Sequence, residues 1–156
     1  MFFIRNPRNF SIFLRCLTLH NYAMLLLSMK QAGDFVKKVL IATICDATNT
    51  ALSEALSKHE VHICTTGTDA LKLIETLRPD ILIVDLMLPH MGGFTVLRKS
   101  GFRPPIILAR TNLITPSILH SAAAVGVQDI LPIPCTVRYI VERLNALTEK
   151  VPSPEV

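Results

Sequence analysis

The sequence predicts an α/β domain built on a doubly wound parallel sheet. Three observations carry that expectation. Five short apolar runs alternate with five segments of helical period, and the connections between the runs are too short for anything but crossovers. The central run, Ile81 to Val84, is apolar at every position, which is the pattern of a strand buried on both faces. It ends in a single carboxylate, Asp85, and the carboxyl edge of an open parallel sheet is where ligands bind and chemistry takes place. Around it, RPDILIVDLMLPHMGGFTV supplies a Pro-Asp pair that ends one helix and a turn, marked by Pro89 and Gly92-Gly93, that leads into the next.

Taken in order, the first strand is expected over 39–44. A helix follows over 48–58, with Leu52, Ala55 and Leu56 on one face. A second strand covers 61–64. Thr68 is the expected N-cap of a helix over 69–77, whose Ala70, Leu71, Ile74 and Leu77 recur at three- and four-residue spacing. After the central strand come a helix over 93–99, a fourth strand over 105–109 and a helix over 116–125 that stops at Gly126. A short fifth strand over 129–131 and a helix over 136–149 complete the domain.

The 156 residues suffice for one domain with a leader or tail. Half are hydrophobic and the mean hydropathy is +0.43, which calls for a sheet covered on both faces or for a lipid-like segment. The formal charge of +4 would suit a polyanion, but its distribution does not. Residues 1–28 hold Arg5, Arg8 and Arg15 and no acid, leaving 13 basic against 12 acidic residues in the rest. A nearly neutral body with no basic stripe argues against nucleic-acid binding by this domain. The leader is basic and apolar, but Arg15, His20 and Asn21 interrupt it, and the run 23–27 is too short to span a bilayer. Met29, followed by the polar KQAGDFVKK, reads as an alternative start. Residues 1–28 are then a gene-model artefact or a loosely attached helix, 29–150 the domain, and 151–156 a frayed tail.

PDILIVDLMLPHMGGFTVL resembles the phosphoacceptor strand and following turn of response-regulator receiver domains, and LPHMGG is especially similar to the sporulation-initiation type. The GTDAL step into the second helix, PPIIL at the fourth strand, GVQDIL at the fifth and Pro134 after it extend the resemblance over 37–149. It implies a flavodoxin-like sheet of order 2-1-3-4-5 with helices on both faces. It also implies a signalling module of two-component phosphorelays rather than an enzyme, with Asp85 at the phosphoacceptor position. The partner would be a protein: a histidine kinase, a phosphotransfer protein or an output protein. A homodimer through the last two helices, carrying Ile118, Leu119, Val125, Tyr139, Ile140 and Leu144, is a further implication.

The family's other site positions are altered. Its acidic pair after the first strand binds Mg²⁺, whose charge offsets that of the phosphoryl group, but Thr43 and Ile44 stand there, with Asp46 as the only nearby acid. Its hydroxyl residue at the end of the fourth strand falls on Arg110, with Thr111 next to it; a slip of one residue would restore a hydroxyl but change the face. Its lysine before the proline falls on Ile133, and its switch aromatic on Ile130. These substitutions predict a degenerate receiver that holds no Mg²⁺ and uses no other cofactor. Arg110 turned inward over Asp85 would supply the positive charge that metal and lysine no longer provide, while Arg110 pointing to solvent from a loop is the alternative.

Other chemistry is poorly supported. Cys16, Cys45, Cys64 and Cys135 lack Cys-x-x-Cys spacing and read as buried reduced thiols, which fits a cytoplasmic protein. His59 and His62 straddle a helix end and a strand start without an acid in pattern, and His90 and His120 read as surface residues. No Gly-rich dinucleotide loop follows the first strand. Two further readings remain: the receiver half of a DNA-binding transcription regulator, with Pro152 and Pro154 opening a linker, and a small flavodoxin-like enzyme or ligand-binding domain.

Overall fold

A computed structural model describes residues 36–150; the expectations for the leader, for Cys16 and for the tail lie outside them. Five strands, β1 (Lys38–Ala42), β2 (Glu60–Cys64), β3 (Ile81–Asp85), β4 (Ile106–Thr111) and β5 (Asp129–Pro132), alternate with five helices. These are α1 (Asp46–Ala55), α2 (Gly67–Leu77), α3 (Gly93–Lys99), α4 (Pro116–Ala124) and α5 (Val137–Thr148). The strands pair in parallel in the order β2-β1-β3-β4-β5, the flavodoxin-like order expected.

The period of two along the strands divides the core into two layers. Leu40, Ala42, Leu82, Val84, Ile107 and Ala109 pack with Ala70 and Ile74 of α2 and with Val96 and Leu97 of α3. Val39, Ile41, Ile81, Ile83, Ile106 and Leu108 pack on the other face with Leu52 and Leu56 beside α1 and Ile140 and Leu144 of α5. Continuous apolar runs are therefore required in β1, β3 and β4, because each alternate residue has a helix to cover it.

Several boundaries differ from expectation for identifiable reasons. β1 stops at Ala42 because Thr43 turns into hydrogen bonds with Asn49, leaving Ile44 exposed. β4 runs on to Thr111, since Arg110 and Thr111 stay in register with Leu131 and Pro132 of β5; polar residues there are buried, not looped out. α1 begins at Asp46 and stops at Ala55, which is exposed, while Leu52 and Leu56 reach the core. The N-cap of α2 is Thr66, not Thr68. Its hydroxyl accepts from the Asp69 N–H at 3.1 Å and donates to the Asp69 carboxylate at 2.8 Å. The helix thus starts at Gly67, where a Cβ would lie 1.7 Å from the Met91 carbonyl oxygen.

Candidate functional site

The alternation that splits the core also builds the site. Continuing the rows Val39–Ile41, Ile81–Ile83 and Ile106–Leu108 past the apolar residues sets Thr43, Asp85 and Arg110 at the carboxyl edge, on the face covered by α1 and α5. Asp85 and Arg110 are direct register partners on β3 and β4, and the Leu86 N–H donates to the Arg110 carbonyl at 2.8 Å. The Arg110 Nη1 lies 3.4 Å from Asp85 Oδ1, with the two side chains only 3% and 5% exposed. The guanidinium is turned inward, from within a strand rather than from a loop.

This is an ion pair without a hydrogen bond. Asp85 Oδ1 and Arg110 Nε and Nη1 are buried and have no hydrogen-bond partner among the described residues. Burial pushes the Asp85 carboxyl above its usual range, opposed by the Arg110 charge and by the backbone N–H of Ile44. Two charges removed from water at this separation attract strongly but lose hydration that nothing fully replaces.

The neighbouring positions do not form a metal cradle. The Thr43 hydroxyl donates to the Asn49 side-chain carbonyl at 2.6 Å, and the Asn49 amide donates back to the Thr43 carbonyl at 3.1 Å, both groups being buried. The two residues satisfy each other and tie β1 to α1. Ile44 offers no side-chain donor, and Asp46 lies exposed in the first turn of α1. A hard dication needs carboxylate oxygens. The only buried one among the described residues, that of Asp85, faces Arg110, so the residues present do not fit Mg²⁺.

The remaining positions separate. Thr111 lies on the opposite strand parity from Asp85, and its hydroxyl accepts from the Leu113 N–H and donates to the Leu113 carbonyl, each at 3.2 Å. No slip restores a hydroxyl beside Asp85. The Ile133 N–H donates to the Thr111 carbonyl at 2.8 Å, and the Ile133-Pro134 peptide is cis. Ile130 packs against the α2–α3 layer. Gly93 seats α3 against the site, since a Cβ there would lie 2.7 Å from the Asp85 carbonyl oxygen. His62 Nε2 lies 2.8 Å from the Glu60 carboxylate, and His59 Nδ1 accepts from the Lys37 N–H at 3.4 Å; the two histidines do not converge. Cys64 is buried, its thiol pushed up to about 11 chiefly by desolvation, and Cys135 is half-buried. Cys45 departs from expectation: it is exposed, because β1 ends three residues before it. Asn49 is the site residue that sequence reasoning missed. Its signal was its spacing, three residues before Leu52 and seven before Leu56, a polar group on the buried stripe of α1.

The comparisons with known proteins agree with this geometry at the level of the family. The sequence profile of the response regulator receiver domain matches residues 23–145, and the chain belongs to that family, the receivers of two-component signalling. Among curated proteins it is 39% identical over 72 residues to the transcriptional regulatory protein AfsQ1 of Streptomyces coelicolor, covering 43% of this chain and 32% of that one. It is 29% identical over 119 residues to the response regulator MprA of Mycobacterium ulcerans, covering 72% of this chain and 50% of that one. The aligned segments thus span half or less of these relatives. Among solved structures, the chemotaxis protein CheY4 of Vibrio cholerae superposes with a TM-score of 0.64 at 24% identity, covering 72% and 99% of the two chains. The receiver domain of the sensor histidine kinase PA1611 of Pseudomonas aeruginosa, solved with a magnesium ion in its active-site cleft, gives 0.61 at 20% identity over 74% and 99%. Among the described residues no helix is long and apolar enough to cross a membrane.

Proposed function

We propose that this chain is a pseudo-receiver, a receiver-type signalling module that acts by protein association and keeps Asp85 as an inherited rather than a working phosphoacceptor. The observation that carries this reading is the Arg110–Asp85 pair. Phosphoryl transfer to a carboxylate relies on positioning and charge neutralisation by a bound cation, and on an accessible oxygen in line with the donor. Here a guanidinium occupies the neutralising position, and Asp85 is 4% exposed. Thr43 and Asn49 close on each other where metal-binding acids would stand. The partner is then a protein of the phosphorelay: a kinase, a phosphotransfer protein or an output protein. Incubation with acetyl phosphate and Mg²⁺ should leave the intact mass unchanged. A gain of one phosphoryl group that disappears in Asp85→Asn would overturn the reading.

A second reading is favoured by the curated relatives, which are regulators at least about twice as long as the matched segment. On this reading the chain is the receiver portion of a transcription regulator with an output domain, and extending the reading frame past Val156 tests it. Self-association through α4 and α5 is proposed on narrower ground than the sequence suggested. Val125, Ile140 and Leu144 are core, Ile118 packs against it, and only Leu119 and Tyr139 stand exposed.

A further inference from the structure

We propose that the outer edge of β2 is a self-association surface, on which a second copy of this chain adds its own β2 antiparallel and continues the sheet. The edge lies away from the Arg110–Asp85 site and from the α4–α5 face. Among the described residues β2 ends the strand order and pairs with β1 alone. Both ends of that pairing use even-numbered residues of β2. The Glu60 N–H donates to the Lys37 carbonyl at 2.9 Å, and the Cys64 carbonyl accepts from the Thr43 N–H at 3.2 Å. Alternate residues of a parallel ladder bond to the same neighbour, so Val61 and Ile63 turn their N–H and C=O groups outward.

The edge also carries apolar surface. Ile63 is 43% exposed although it lies within the strand. An open groove of about 400 Å³, lined by Ile63, Cys64 and Thr65 and by Asp69, Lys72 and Leu73 of α2, keeps that helix from closing over this end of the strand.

Charge selects the occupant. Edges built to avoid pairing carry like charges, lysine above all. β2 instead carries Glu60 and His62, which share one face, with Oε1 and Nε2 2.8 Å apart. Antiparallel pairing about a two-fold axis at Val61 sets Glu60 opposite His62 of the second copy and His62 opposite its Glu60. The Val61 N–H and C=O then bond to the same groups of their counterpart, and Ile63 lies diagonal to the second Val61, forming an apolar stripe on the α1 face. The contact is isologous and closes at two copies.

The test uses the full chain, carrying Arg138→Glu throughout so that the α4–α5 face is weakened. Sedimentation from tens of micromolar to about 1 mM should show a monomer–dimer equilibrium, and exchange of the Val61 amide should slow as concentration rises. Val61→Pro removes an outward N–H, a change edge strands tolerate, and should abolish the dimer. His62→Glu sets like charges opposite one another and should raise the dissociation constant about threefold or more. Adding Glu60→Lys to it exchanges the two charges and should restore the dimer. A chain that stays monomeric at about 1 mM, or a dimer indifferent to His62→Glu, would rule the proposal out. The charge variants keep the test decisive if Val61→Pro does not fold.

Discussion

Arg110 and Asp85 are an unusual pair to bury, because neither side chain is fully hydrogen-bonded. The raised carboxyl of Asp85 has a defined consequence for stability. Between the ordinary carboxylate pKa and the raised one, the native state keeps a proton that the unfolded chain has lost, so stability falls as pH rises through that window and is unaffected below it. Urea unfolding across acidic pH should show this decline, and Asp85→Asn should flatten it. The site also predicts a gain of function. Thr43→Asp and Ile44→Asp combined with Arg110→Thr and Ile133→Lys should create saturable Mg²⁺ binding and phosphorylation by acetyl phosphate, read by amide shifts and mass. Arg110 as the residue opposite Asp85 was within reach of the sequence, because the resemblance to receiver domains sets the family's hydroxyl position there, and the register of β3 and β4 bears it out. The orientation of its side chain was not, since a strand-end arginine can point either way until its neighbours are placed.

At the scale of the elements, the apolar strands were legible because both faces are covered, and α2 because its buried stripe recurs at helical spacing. Ends were less so. Threonines at 66 and 68 both precede the apolar residues of α2, and only the hydrogen bond to the Asp69 N–H selects Thr66. Thr66→Ala should cost about 0.5–2 kcal/mol, and Thr68→Ala, on the exposed side of the helix, no more than about 0.5 kcal/mol; thermal unfolding of the two variants compares them. Leu144→Ala on the buried stripe of α5 should cost about 2–5 kcal/mol.

For the molecule as a whole, the parallel sheet and its crossovers followed from alternation and the strand order from the resemblance to receiver domains, and the apolar runs of the central strands are explained by two helix layers on one sheet. The exposed surface was harder to read, because periodicity does not say which apolar residues of α4 and α5 are left over. The two arginines of α5 also differ. Arg143 pairs with Asp129 of β5, whereas Arg138 pairs only with Glu142 one turn along. Arg138→Glu is therefore the clean probe of self-association, expected to weaken it without a large change in Tm. A chain that sediments as a monomer at tens of micromolar would remove the dimer.

The claim on which the functional reading depends is that Arg110 and Asp85 act on one another in the folded protein. A double-mutant cycle on Arg110→Ala and Asp85→Ala, followed by urea unfolding, measures this directly. Each single substitution should cost about 3–5 kcal/mol by leaving the other charge buried alone. The double variant should lose less than the sum, with a coupling energy of about 0.5–3 kcal/mol. A coupling energy indistinguishable from zero, or an experimental structure with the guanidinium farther than about 6 Å from the carboxylate, would contradict it.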